Sequence, residues 1–97
     1  MSKKEEILDT LKALKPELAA RFKVQEIGLF GSFVRGEQNA ESDIDLVVDL
    51  NNDADLFDLI RLGNFLEERL HRKVDVGTRR SLRPEIREQV MRELATV

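Results

Sequence analysis

Hydrophobic positions along this chain follow two periods, and the changes between them mark out the elements. Ile7, Leu8, Leu11 and Leu14 recur at helical spacing behind Ser2 and Glu5, which are placed as a capping box, so a first helix is predicted from Ser2 to about Leu14. Pro16 is expected to end or kink that helix, or to begin a further turn reaching Phe22. Val24 to Phe30 reads as a strand with Ile27, Leu29 and Phe30 as its apolar members. Gly31-Ser32 breaks the strand, and Phe33-Val34-Arg35 reads as a short helical turn that ends at Gly36, with Ser32 in the N-cap role. Residues 37–42 are a polar loop, Ile44 to Val48 a second strand, and Asn51-Asn52-Asp53 a turn or helix cap.

Helical spacing returns from about Asp55 to Leu70, where Leu56, Leu59, Ile60, Leu66 and Leu70 form the expected buried stripe. Gly63 inside this helix costs up to about 1 kcal/mol against Ala, a cost that a close approach to the sheet would explain. Phe57 and Leu62 fall off the stripe and are read as widening the buried face rather than forming a partner surface. Phe33, Phe57 and Phe65 are read as core rather than a shelf for stacking a base, and His71 as a surface or capping residue at a helix end. Lys73 to Thr78 is a third strand, and Leu82, Ile86, Val90 and Leu94 give a last amphipathic helix with Ser81 as its cap. The order α-β-α-β-α-β-α predicts an α/β (α+β) fold, a small sheet with helices packed on it, without fixing strand direction.

Composition narrows the class. The 97 residues are 41% hydrophobic and 36% charged, which fits one globular domain over 1–97. No apolar run approaches the ~18 residues of a membrane span, and no signal-peptide pattern follows Met1, so a cytoplasmic location without membrane contact is expected. The absence of Cys excludes disulfides, a thiol nucleophile and thiolate metal sites, and the single His71 leaves carboxylates as the metal ligands of choice. A net charge of -3 argues against direct nucleic-acid binding through overall basicity.

The candidate chemistry lies in the second and third strands. With period two, Ile44, Leu46 and Val48 share one face and Asp43 and Asp45 the other; in Val74-Asp75-Val76 the carboxylate again opposes the valines. If both apolar faces enter the same core, three carboxylates emerge on one side of the sheet. Two unit charges ~4 Å apart repel by about 4 kcal/mol at an effective dielectric of 20, so one takes a proton or a hard cation neutralises them. Oxygen-only ligands favour Mg²⁺ or Mn²⁺, and two such ions would clamp an in-line phosphoryl displacement. The alternative is that these aspartates are solvated or cap turns. Gly31-Ser32, between a strand and a helical turn, can offer backbone N–H groups and a hydroxyl to phosphate oxygens. Eight acidic residues and no Lys or Arg lie between Glu37 and Asp58, a run that would concentrate cations at the site. The arginines that follow read largely as solvated helix surface, although Arg79 or Arg80 could approach the site or an acidic partner.

Gly31-Ser32, ten intervening residues and then Asp43-Ile44-Asp45 resemble the signature of the DNA polymerase β-type nucleotidyltransferase superfamily. The fuller stretches Gly31-Ser32-Phe33-Val34-Arg35-Gly36 and Ser42 to Val48, with Lys73-Val74-Asp75-Val76, are similar to the minimal nucleotidyltransferases of bacteria and archaea, over roughly Val24 to Leu94. The resemblance implies a polymerase β-like core with a small mixed sheet. It implies that Asp43, Asp45 and Asp75 are the catalytic and metal-binding residues, holding two Mg²⁺, and that Gly31 and Ser32 hold the β- and γ-phosphates of ATP as substrate. Arg35 matches the family's Arg-Gly step; it could reach a phosphate or pair with Glu37 or Asp45, and both roles stay open. The implied reaction is attack of a hydroxyl on the α-phosphorus of ATP with release of pyrophosphate.

In 97 residues there is no room for the template-gripping or RNA-binding bodies of the larger enzymes. The resemblance therefore implies the antitoxin half of a toxin–antitoxin module. Its partner would be a HEPN-class ribonuclease toxin, AMPylated on a tyrosine hydroxyl and thereby inactivated. Two further functions stay open: neutralisation of the toxin by complex formation alone, and adenylylation of a small-molecule hydroxyl.

Overall fold

The computed structural model describes residues 3–39 and 42–97; the expected Ser2 cap and positions 40 and 41 of the polar loop lie outside the described residues. Helix α1 runs over Lys3–Phe22 with Pro16 inside it, so the chain does not leave the helix at the proline but reaches Phe22, the further extent the sequence offered. Pro16 faces solvent, while Leu18 and Phe22 extend the stripe of Ile7, Leu11 and Leu14 into the core. Burial of large side chains gains about 1.5–3 kcal/mol each, which offsets the roughly 3 kcal/mol cost of an interior proline.

Strand β1 (Val24–Phe30) leads into the one-turn helix α2 (Ser32–Arg35), and Gly36 closes that turn in the left-handed conformation. The N-cap of α2 is Gly31 rather than Ser32, and no side chain caps it; Ser32 is the first helical residue. Strand β2 spans Ile44–Leu50 and helix α3 Leu56–Leu70. After strand β3 (Val74–Thr78) comes a 3-10 turn, Arg79–Ser81, then helix α4 (Pro84–Glu93) and a two-residue strand β4 (Ala95–Thr96). Ser81 does not cap α4: it closes a reciprocal capping box with Thr78 around the 3-10 turn, while Arg83 and Pro84 start the helix.

The sheet is mixed, in the order β3-β2-β1-β4. β1 runs antiparallel to β2 and β4, and β2 runs parallel to β3. Helices α1 and α3 supply the main core, in which Leu11, Leu18, Leu62 and Leu66 meet Ile27, Leu29, Ile44, Leu46 and Val48 from the strands.

The buried face of α3 is rotated from the expected stripe. Leu62 and Leu66 are fully buried, whereas Leu56 and Phe57 are each 67% exposed and Ile60 is 51% exposed. The cause is Asp58, a buried residue whose carboxylate receives the Asp55 N–H while the Asp55 side chain receives the Asp58 N–H. Asp58 also pairs with Arg61 at 2.5 Å and Lys23 at 3.5 Å. Asp58, Leu62 and Leu66 thus form the inward face at i, i+4, i+8. Phe57 is not core, unlike Phe33, which is buried, and Phe65, which packs on Phe22 with ring centroids 5.0 Å apart. Gly63 is not a close-approach position, since a Cβ there would meet only Val76 Cγ2, at 4.0 Å. His71 is exposed and is the left-handed C-cap of α3.

Candidate active site

The β2–β3 register places Asp45 directly beside Asp75. Neighbouring strands lie about 4.8 Å apart, so these two carboxylates start from adjacent positions on one face of the sheet. Asp43 precedes β2 by one residue and is exposed. The strand ladder begins with the Ile44 N–H donating to Lys73 O at 2.9 Å, which fixes the strand ends that carry Asp43 and Asp75. Arg72 Nη1 donates to Ser42 O at 2.9 Å, and its guanidinium lies 5.3 Å from the centre of the Phe33 ring, tying the chain before β3 to the loop and to α2.

Asp45 holds its proton above the ordinary carboxylate range. Partial burial is the first cause, and the negative charges of Asp75 and Asp43 add to it; the Arg35 cation opposes them. Gly31 lies against the same carboxylate. Its φ of 82° and ψ of -151° belong to a region that glycine alone occupies readily, and a Cβ there would overlap Asp45 Oδ2. One glycine thus lets the β1–α2 turn reach the acidic pair.

Arg35 leaves α2 and pairs with Glu37 through Nε and with Glu93 through Nη1, the latter at 3.2 Å. Of the two open roles for Arg35, the structure displays pairing with local acids. Arg79 does not approach the carboxylates. It binds Glu26 at 3.2 Å and Asp49 at 3.3 Å, and Asp49 lies four β2 residues beyond Asp45, about 13 Å along the strand.

A cleft of about 490 Å³ opens on this face. Gly31, Arg35, Asp45 and Asp75 line it together with Leu82, Ile86, Gln89, Val90 and Glu93 of the segment that carries α4. The α4 contribution to the cleft was not legible from the sequence. The only trace of it is that residues 86, 89, 90 and 93 share one helical face.

Among the described residues, no three acidic or histidine side chains gather closely enough to hold a metal ion as they stand. Asp45 and Asp75 line the cleft together; Asp43, exposed just before β2, is not among its lining residues, although its charge is felt at Asp45. The donor chemistry nevertheless suits a hard divalent cation: the side chains offer oxygen only, and their mutual repulsion at Asp45 is what such an ion would relieve.

Residues 11–96 match the nucleotidyltransferase domain family, and the chain belongs to it. Within that family it is a minimal nucleotidyltransferase: a solved minimal nucleotidyltransferase superposes with a TM-score of 0.73 at 38% identity, covering 93% of each chain. The protein adenylyltransferase MntA of Thermococcus cleftensis is 44% identical over 93 residues, 96% of this chain and 94% of its own length. A toxin–antitoxin structure with AMP-PNP matches with a TM-score of 0.68 at 29% identity, covering 97% of this chain and 71% of that one. A complex of tri-AMPylated Shewanella oneidensis HEPN toxin with its MNT antitoxin matches with a TM-score of 0.60 at 26% identity, covering 99% and 71%. Among the described residues, no helix is long and apolar enough to cross a membrane.

Proposed function

We propose that this chain is a protein adenylyltransferase and an antitoxin, transferring AMP from ATP to a tyrosine hydroxyl of a HEPN-class ribonuclease toxin and so inactivating it. The observation that carries this reading is the Asp45–Asp75 pair, in register on one sheet face with Gly31 packed against it. The likeness to an adenylyltransferase and to an AMPylated toxin complex supports the substrate class.

Asp43, Asp45 and Asp75 would hold Mg²⁺, which when bound neutralises the triphosphate and polarises its α-phosphoryl group. The N–H groups of the Gly31-Ser32 turn and the Ser32 hydroxyl hold the β- and γ-phosphates, and Arg35 faces them. Asp75 receives the proton of the acceptor hydroxyl. The hydroxyl oxygen bonds to the α-phosphorus, the bond from that phosphorus to the α,β-bridging oxygen breaks, and pyrophosphate leaves. Most of the acceleration comes from positioning and charge neutralisation. The added AMP brings an anion and bulk to the toxin, which oppose RNA binding there. The work is done within a single domain over 1–97, in the cytoplasm, and the toxin supplies any contact with RNA.

The test is to incubate the chain with its candidate toxin, Mg²⁺ and ATP labelled at the α-phosphate. Label should pass to the toxin and RNA cleavage should stop. Asp43→Asn should still form the complex but transfer nothing. Full neutralisation by Asp43→Asn without ATP would replace catalysis with inhibition by complex formation.

A further inference from the structure

Glu93 sits at the last turn of α4 and lines the same cleft as Asp45 and Asp75. Three features fix it there. Leu94 caps the helix and packs its side chain over Gly28, where a Cβ would come within 2.7 Å of Leu94 Cγ. Ala95 and Thr96 pair with Leu29 and Gly28 of β1, and the Val97 N–H donates to Ile27 O at 3.1 Å. One turn back, Gln89 Nε2 donates to Glu93 Oε1 at 3.3 Å, which leaves Oε2 for the Arg35 guanidinium.

Arginine carries five N–H donors in a rigid fork. The bonds to Glu37 and Glu93 engage Nε and Nη1. Among the described residues no further acceptor is bonded to Arg35, which leaves donors for a third anion, and Arg35 lies on the cleft close enough to lower the proton affinity of Asp45. An arginine free in solvent would lose rotamer freedom on meeting a phosphate. One already held at two points loses less.

We propose that Glu93, oriented by Gln89, is a positioning residue that holds Arg35 against the cleft wall so that its remaining donors meet the triphosphate. This rests on the adenylyltransferase reading for the identity of the nucleotide. The tiny β4 strand then has a functional consequence, because it anchors the end of α4 that carries the clamp.

Binding of AMP-PNP with Mg²⁺ to the purified chain, followed by calorimetry, tests the clamp without needing turnover, and KM and kcat with toxin complete the measurement. Glu93→Ala should weaken AMP-PNP binding and raise KM for ATP about fivefold, with kcat changed less than about twofold. Glu93→Gln, which keeps an acceptor for Arg35, should recover at least half of that loss and guards against a folding defect in the alanine variant. Arg35→Ala should weaken binding, and Glu93→Ala should add nothing in its background. Unchanged or tighter binding in Glu93→Ala would mean that its charge only repels the phosphates, and would overturn the clamp. A loss that repeats in full on top of Arg35→Ala would overturn it too. In both cases a wild type that binds AMP-PNP and labels the toxin keeps the adenylyltransferase reading; a wild type that binds no AMP-PNP overturns both.

Discussion

The two faces of the sheet meet different demands. On the covered face, Ile27, Leu29, Ile44, Leu46 and Val48 pack against α1 and α3 in one continuous apolar core. On the other face, the same strands present Asp45, Val47 and Asp75 to a cleft that α4 only partly closes. The first face asks for apolar volume and tolerates exchange of shape. The second asks for particular atoms: a carboxylate at 45, another at 75 in register with it, and no Cβ at 31. Period-two alternation lets one short strand serve both, with Ile44, Leu46 and Val48 on the core face and Asp45 on the cleft face.

Leu46 and Asp75 put the contrast at its sharpest. Leu46→Ala should lower stability by about 2–5 kcal/mol, because it leaves a cavity in a fully enclosed layer; Leu46 has 0% exposure. Urea denaturation measures this, and adenylylation per folded molecule should stay near wild type. Asp75→Asn should do the reverse, abolishing transfer while stability changes by less than about 0.5 kcal/mol, as expected for an exposed side chain. If Leu46→Ala loses specific activity in step with stability, the two faces are mechanically coupled and the division fails.

Gly31 joins β1 to α2 and lies against the carboxylate of Asp45. Gly31→Ala should cost about 1–3 kcal/mol for the backbone conformation alone, and it should also displace Asp45 and impair transfer. Combining it with Asp45→Ala separates the two effects. Removing the carboxylate should relieve the overlap and leave only the backbone cost. A double variant as unstable as the sum of the single ones would show that the contact with Asp45 carries no energy.

The strands and the acidic pair were legible in the sequence because both rest on local rules. Val24–Phe30 is found with the bounds read from its apolar members and the Gly31-Ser32 break, and the alternation in β2 and β3 places Asp45 and Asp75 on the face opposite the core. The face of α3 was misread because counting apolar residues omits Asp58, a buried polar residue that sets the rotation of the helix from its first turn. The continuity of α1 through Pro16 depends on a core that lies far along the chain. β4 is two residues long, and only its pairing with β1 gives it an identity. Glu93 and Gln89 gain a role once that pairing fixes the end of α4, so no spacing in the sequence announces them.

The smallest expected effect tests whether the open face is held against its own charge. The native pKa of Asp45 is raised above the unfolded value, so the folded chain binds more protons than the unfolded chain in the window between the two. Stability therefore falls as pH rises through the native pKa. Asp45→Asn removes that titration. In metal-free buffer its Tm should exceed that of the wild type at neutral pH, and the difference should fade as pH drops toward the ordinary carboxylate value of about 3.9. The effect is modest because Asp45 is only partly buried and solvent screens it. Adding Mg²⁺ at neutral pH should then raise the wild-type Tm and leave Asp45→Asn nearly unmoved, since a bound cation relieves the same repulsion that protonation relieves. A wild type more stable than Asp45→Asn at neutral pH without metal would show that Asp45 is held by favourable contacts, and the acidic face would be structural support rather than an open charge site.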